Sequence, residues 1–262
     1  MQALPSRAPR NTGPIEGRDF GPTGRRLGTP ADCYDGSPWE LHRGELWEQM
    51  GSKDIHGIVM ALLAALFRTH ARMGMTVMTD VYCDLSDASG ASVRAPDVVL
   101  VRDLQKPKDD FYRGTPVLAV EVRGTQSKRY LEEKVKLYLE HAWPCTWIVH
   151  AEREEVEVMR PGAASVVYRR GGEVPLVPEL DQHGLGALPV AAFFDENEAR
   201  RFNDGWVQAR AVLSVLAARG FEVSDRLAAR VHVESDLAVL RNWLVSAVNA
   251  PSVEAFTAEI ER

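Results

Sequence analysis

Ala95-Pro96-Asp97-Val98-Val99-Leu100-Val101 and Pro116-Val117-Leu118-Ala119-Val120-Glu121-Val122-Arg123 are the two stretches that decide the fold of this chain. Each begins at or next to a proline, is otherwise apolar and mostly β-branched, and carries one carboxylate. Proline suits the first position of a strand, and a near-continuous apolar run implies a strand covered on both faces. Asp97 and Glu121 are thereby carried into a region where an unpaired carboxylate is costly, so a cation is expected between them. Side-chain alternation puts Glu121 and Arg123 on one face and Val120 and Val122 on the other, which makes Arg123 one candidate partner. The second candidate is Lys134. A helix expected from Ser127 to His141 has an apolar stripe of Leu131, Val135, Tyr138 and Ala142, and Lys134 lies inside that stripe while Lys136 points away.

Taken singly, these residues have ordinary explanations: Asp97 caps a turn, Glu121 pairs with Arg123, and Lys134 snorkels to the surface. Together they match the needs of hard-metal hydrolysis. Two carboxylates on adjacent strands supply oxygen ligands for Mg²⁺, and a cation sits near the charge that develops on a phosphate.

Beyond these runs, four further segments follow a recognisable order: Trp39-Glu40-Leu41-His42-Arg43-Gly44-Glu45-Leu46, then His56, then Glu133-Lys134-Val135-Lys136-Leu137-Tyr138, then Thr146-Trp147-Ile148-Val149. With Ala95-Pro96-Asp97-Val98-Val99 and Val120-Glu121-Val122, the pattern resembles the Uma-type restriction endonucleases, a branch of the PD-(D/E)XK nuclease superfamily. The resemblance covers residues 38 to 160 or so. It implies an α/β, restriction-endonuclease-like core with a mixed central sheet flanked by helices, and Mg²⁺- or Mn²⁺-dependent hydrolysis of DNA phosphodiesters. Asp97, Glu121 and the Val122 carbonyl would be the metal ligands. The lysine usual two residues after the glutamate is Arg123 here, and the resemblance implies that its role has migrated to Lys134. Arginine can stabilise phosphate charge but is no substitute in proton transfer. Glu45 is either a third acidic group near the metal, as in the relatives, or an exposed strand residue. His56, on an apolar helix face, is more often a structural histidine than a ligand. Two further departures stand out: Arg123-Gly124-Thr125-Gln126 replaces a small-Ser-Pro-Ser turn, and Tyr130 stands where an acidic residue is common. The rival to an endonuclease is a non-catalytic binding or assembly module that keeps Asp97, Glu121 and Arg123 or Lys134 as a buried ion-pair network.

The 262 residues, 26% charged and 45% hydrophobic, have the composition of an ordinary globular protein. Cys33, Cys83 and Cys145 form no close pair, which suggests neither a zinc knuckle nor a disulfide framework and suits the cytoplasm. The longest apolar run, Ile58 to Phe67, is too short to cross a bilayer and reads as a buried helix. A net charge of −6 is not the footprint of a protein that coats nucleic acid, although Lys128-Arg129 or Arg169-Arg170 could form a small basic rim beside a metal site.

Residues 1 to 37, rich in proline and glycine and without apolar periodicity, read as a disordered leader. Residues 38 to 195 form the expected nuclease-like domain. Within it a hairpin spans Trp39 to Met50, a helix runs from Asp54 to about Met73, and one strand runs from Thr76 to Leu85. From Glu196 strand signals cease, and residues 196 to 262 read as a C-terminal helical appendage. Its plainest role is packing or homodimerisation, because it has no basic recognition helix.

Overall fold

The computed structural model describes residues 20–49, 54–102, 111–124, 127–182 and 184–261. A hairpin of β1 (Trp39–His42) and β2 (Glu45–Glu48) precedes helix α1 (Asp54–His70). Next come β3 (Met75–Thr79), β4 (Cys83–Asp84), β5 (Val93–Arg94), β6 (Val98–Arg102), β7 (Leu118–Arg123) and α2 (Lys128–Glu140). Strands β8 (Thr146–His150), β9 (Glu155–Met159), β10 (Val166–Arg169), β11 (Glu173–Pro175) and β12 (Ala187–Pro189) lead to α3 (Glu196–Ala218), α4 (Asp225–Val233), α5 (Leu237–Asn249) and α6 (Val253–Ile260).

The main sheet has the order β10-β9-β8-β7-β6-β3, and a smaller one has the order β2-β1-β5-β4. β6 and β7 are antiparallel, while β7 and β8 are parallel, with α2 as the crossover that a parallel pair requires. The apolar runs produce this layering directly, because alternate residues of one strand feed two cores. Val98, Leu100, Val120 and Val122 pack with Val59, Leu63 and Phe67 of α1. Val99, Val101 and Ala119 pack on the other face with Leu137 and Tyr138 of α2. Ser127 caps α2 by accepting a hydrogen bond from Tyr130 N at 3.2 Å, and the stripe of Leu131, Lys134, Val135 and Tyr138 is buried as its spacing predicts.

Two expectations need correction. The strand expected from Thr76 to Leu85 is two strands. Asp80 adopts a left-handed backbone (φ 51°), which turns the chain out of the main sheet after β3 and into the small sheet at β4. The second concerns the leader: residues 1–19 lie outside the described residues, but residues 20–37 are folded against the hairpin. Leu27 bridges Glu45, Leu46 N donates to Arg26 O at 2.8 Å, Gly28 N donates to Gly44 O at 2.9 Å, and Cys33 is buried. Two of the glycines taken as a sign of disorder, Gly21 and Gly28, serve close approach. A Cβ on Gly28 would fall 2.5 Å from the Leu46 side chain, and one on Gly21 would fall 2.1 Å from the Glu45 carboxylate.

The C-terminal helices have their own core, built from Val212, Leu216, Leu227, Leu240, Trp243 and Phe256. The first turns of α3 tie this bundle to the sheet domain: Ala199 and Phe202 join the α1-side core, and His70 Nε2 lies 3.1 Å from Asn203 Oδ1.

Candidate active site

Strand register brings the two carboxylates together. β6 and β7 pair Val98 with Val120, so continuing one step sets Asp97 opposite Glu121. Both side chains are buried. Asp97 Oδ2 accepts a hydrogen bond from Val122 N at 2.5 Å, and His56 Nε2 of α1 lies 3.2 Å from the same oxygen. The Asp97 contact, acting against burial, holds the His56 imidazole above its ordinary pKa. His56 thus orients Asp97 from the helix side.

Glu121 receives two donors from α2. Lys134 Nζ lies 2.9 Å from Oε2, and the Tyr138 hydroxyl donates to Oε1 at 2.7 Å. These two partners settle which cation faces Glu121. Arg123 lies on the same strand face but at its end, half-buried and across from His150 in register. Burial, reinforced by Asp97 and Glu40 and opposed by Lys134, pushes the Glu121 carboxyl up to about 8.

The expectation that burial lowers the Lys134 pKa is corrected by its surroundings. Burial does oppose the charge, but Glu121 and Glu40 outweigh it and hold the ammonium well above the ordinary lysine range. Lys134 is therefore a fixed positive charge rather than a group that exchanges protons near neutrality.

Glu45 is not brought to this cluster. Its carboxylate accepts from Thr23 N at 2.8 Å and Thr23 Oγ1 at 2.6 Å, so it anchors the segment that precedes the hairpin. The acidic group that β1 does contribute is Glu40, which is fully buried. Its Oε1 lies 3.1 Å from Lys134 Nζ and accepts from Ala95 N at 2.8 Å, while Oε2 accepts from Arg94 Nη1 at 3.0 Å and from the Tyr130 hydroxyl. Burial works against the Glu40 charge, yet Lys134, Arg94 and these hydrogen bonds hold its carboxyl below the usual range. Lys134 Nζ also donates to Ala95 O at 2.9 Å. Nothing in the sequence sets Glu40 apart from Glu45, and only the packing around it reveals its place. Tyr130 gives Glu40 a hydrogen bond where a carboxylate would repel it.

Among the described residues no group of three or more His, Cys, Asp or Glu side chains is placed to hold a metal ion. The sparser set fits a hard cation that keeps most of its waters: two carboxylates opposite each other, with the Val122 peptide between them.

The comparisons with known proteins agree with this architecture. A family model described as "Uma2: Putative restriction endonuclease" matches residues 32–191. Among solved structures the chain is similar to a crystal structure titled as a putative nuclease belonging to DUF820 from Anabaena variabilis ATCC 29413. The TM-score is 0.52 at 15% identity, covering 62% of this chain and 90% of that one. A search of curated proteins finds no match. The similar structure shows the restriction-endonuclease-like fold, and the family match, which spans more than half of the sequence, places this chain in the Uma2 family of nuclease-like proteins.

Proposed function

We propose that the protein is a Mg²⁺- or Mn²⁺-dependent endonuclease that hydrolyses DNA phosphodiesters. The observation that carries this reading is the opposition of Asp97 and Glu121 on neighbouring strands, with the Lys134 ammonium 2.9 Å from Glu121. Asp97, Glu121 and the Val122 carbonyl are the residues that would hold the ion. When bound, it supplies Lewis-acid polarisation of the phosphate and lowers the pKa of a water. The protein's part is orientation and charge. His56 and Val122 N fix Asp97, Tyr138 fixes Glu121, and Lys134 holds a permanent positive charge where negative charge grows on the phosphate. Arg123, at the strand end, presents a planar guanidinium suited to grip a phosphate of the substrate.

Three buried free cysteines suit a reducing cytoplasm, and among the described residues no helix is long and apolar enough to cross a membrane. One observation favours the other reading, a non-catalytic module: both Glu121 oxygens already have donors from the protein. A cleavage assay separates the two. With Mg²⁺ or Mn²⁺ the protein is expected to open supercoiled DNA and leave RNA of matched sequence intact. Cleavage of RNA alone contradicts the substrate assignment, and inertness toward both contradicts catalysis.

A further inference from the structure

The geometry points to Glu40 as the positioning residue that keeps Lys134 in place, and out of competition with the metal, when Glu121 engages a cation; we propose this role on the basis of the endonuclease reading above. Lys134 has two carboxylate partners, Glu121 at 2.9 Å and Glu40 at 3.1 Å. A divalent ion on Glu121 withdraws one of these partners and adds like charge beside the ammonium. Unless another anion holds it, a buried ammonium must then either leave or keep Glu121 from the ion.

Glu40 is built to be that anion. It is fully buried, it sits on β1 rather than on the two strands that carry Asp97 and Glu121, and all four of its polar contacts are donors. Arg94 fixes its far oxygen from β5, so the carboxylate cannot follow Lys134 if the ammonium moves. The Arg94 guanidinium is itself clamped, lying 5.3 Å from the Trp47 ring centre and 5.6 Å from that of Tyr130. Ala95 completes the arrangement. Its N–H donates to Glu40 and its carbonyl accepts from Lys134, so the peptide two residues before Asp97 is locked to the same pair. The hairpin thereby fixes both the height of Lys134 over the site and the approach of the Asp97 strand.

The role predicts a coupling that plain charge does not. Calorimetric titration with Mn²⁺ is compared for the unaltered protein, Glu40→Gln, Lys134→Met and the double variant, alongside kcat and KM for plasmid nicking. With Lys134 present, Glu40→Gln frees the ammonium to lean on Glu121, and Mn²⁺ affinity is expected to fall about tenfold. On the Lys134→Met background, where there is no ammonium to compete, the same change is expected to cost less than about threefold. In the nicking assay Glu40→Gln should lower kcat and leave the KM for DNA nearly unchanged, since Glu40 does not contact substrate. Equal losses of Mn²⁺ affinity on both backgrounds, or a loss confined to KM, overturn the inference. If the amide variant does not fold, Glu40→Asp keeps the charge and the Arg94 partner but withdraws from Lys134. Coupling of the same sign is then expected, and additivity again overturns the role. Failure of the unaltered protein to bind Mn²⁺ or nick DNA is a different outcome: it removes the metal reading itself, and this inference falls with it.

Discussion

Glu121→Gln is expected to lower DNA nicking by at least about a thousandfold and, in the presence of a chelator, to make the protein more stable at alkaline pH. The two effects share one cause. Burial, with Asp97 and Glu40 close by, pushes the Glu121 carboxyl up to about 8, so the metal-free fold holds a proton there that the unfolded chain releases at ordinary carboxylate values. A carboxyl raised on folding contributes stability that is fully present below about 4.5 and is lost as pH rises through about 8. The chelated native sequence should lose stability across that window, and the Gln variant should lose less. Near pH 9 its melting temperature is expected to be higher by roughly 5 °C. The amide can turn its oxygen to Lys134 and its NH₂ to the Tyr138 hydroxyl, and Lys134 keeps Glu40, so no buried charge is orphaned. A Gln variant that nicks DNA at an undiminished rate, or melts lower than the native sequence at pH 9 in chelator, contradicts this account of Glu121.

Lys134→Met carries the second large effect. Because Glu121 and Glu40 hold the ammonium protonated, Lys134 acts through charge, and its loss should lower kcat by about a hundredfold to a thousandfold. Mn²⁺ affinity should be unchanged or slightly tighter, since a like charge is removed beside the site. Arg123→Ala should instead act mainly on KM, and Arg123→Lys should be tolerated, because the Glu121 oxygens are already taken by Lys134 and Tyr138. Loss of Mn²⁺ binding in Lys134→Met, or nicking at the native rate, would shift the catalytic assignment to Arg123.

The fold and the meeting of Asp97, Glu121 and Lys134 were legible in the sequence because they rest on periodicity. Two covered strands, each with one carboxylate, and a lysine in an apolar helical stripe have few arrangements that leave no charge unpaired. The parts that were not legible depend on contacts between segments far apart in the chain. Glu45 and Glu40 are both acidic residues of one hairpin, and only the packing of Arg94, Tyr130 and Lys134 around Glu40 shows which one is buried at the site. Residues 20–37 lack any apolar repeat because their order comes from backbone hydrogen bonds and close glycine contacts with the hairpin. The break at Asp80 is a single left-handed residue inside an otherwise strand-like run. The charge state of Lys134 could not be judged from its apolar neighbours alone, because it depends on how many carboxylates surround it. One is Glu121 and a second, Glu40, comes from β1.

The central claim is that Asp97 and Glu121 together form a cation site for phosphodiester hydrolysis, and Asp97→Asn tests it most directly. The substitution keeps the size of the side chain and an oxygen for Val122 N while removing the charge that faces Glu121. Supercoiled plasmid is incubated with the native protein and with the variant, purified in parallel, in Mg²⁺, in Mn²⁺ and in chelator. The account predicts nicking by the native protein with either metal, none in chelator, and a loss of at least about a thousandfold in the variant with either metal. Equal, metal-dependent nicking by both preparations would assign the activity to a contaminant, and no nicking by the native protein with either metal would contradict the claim outright.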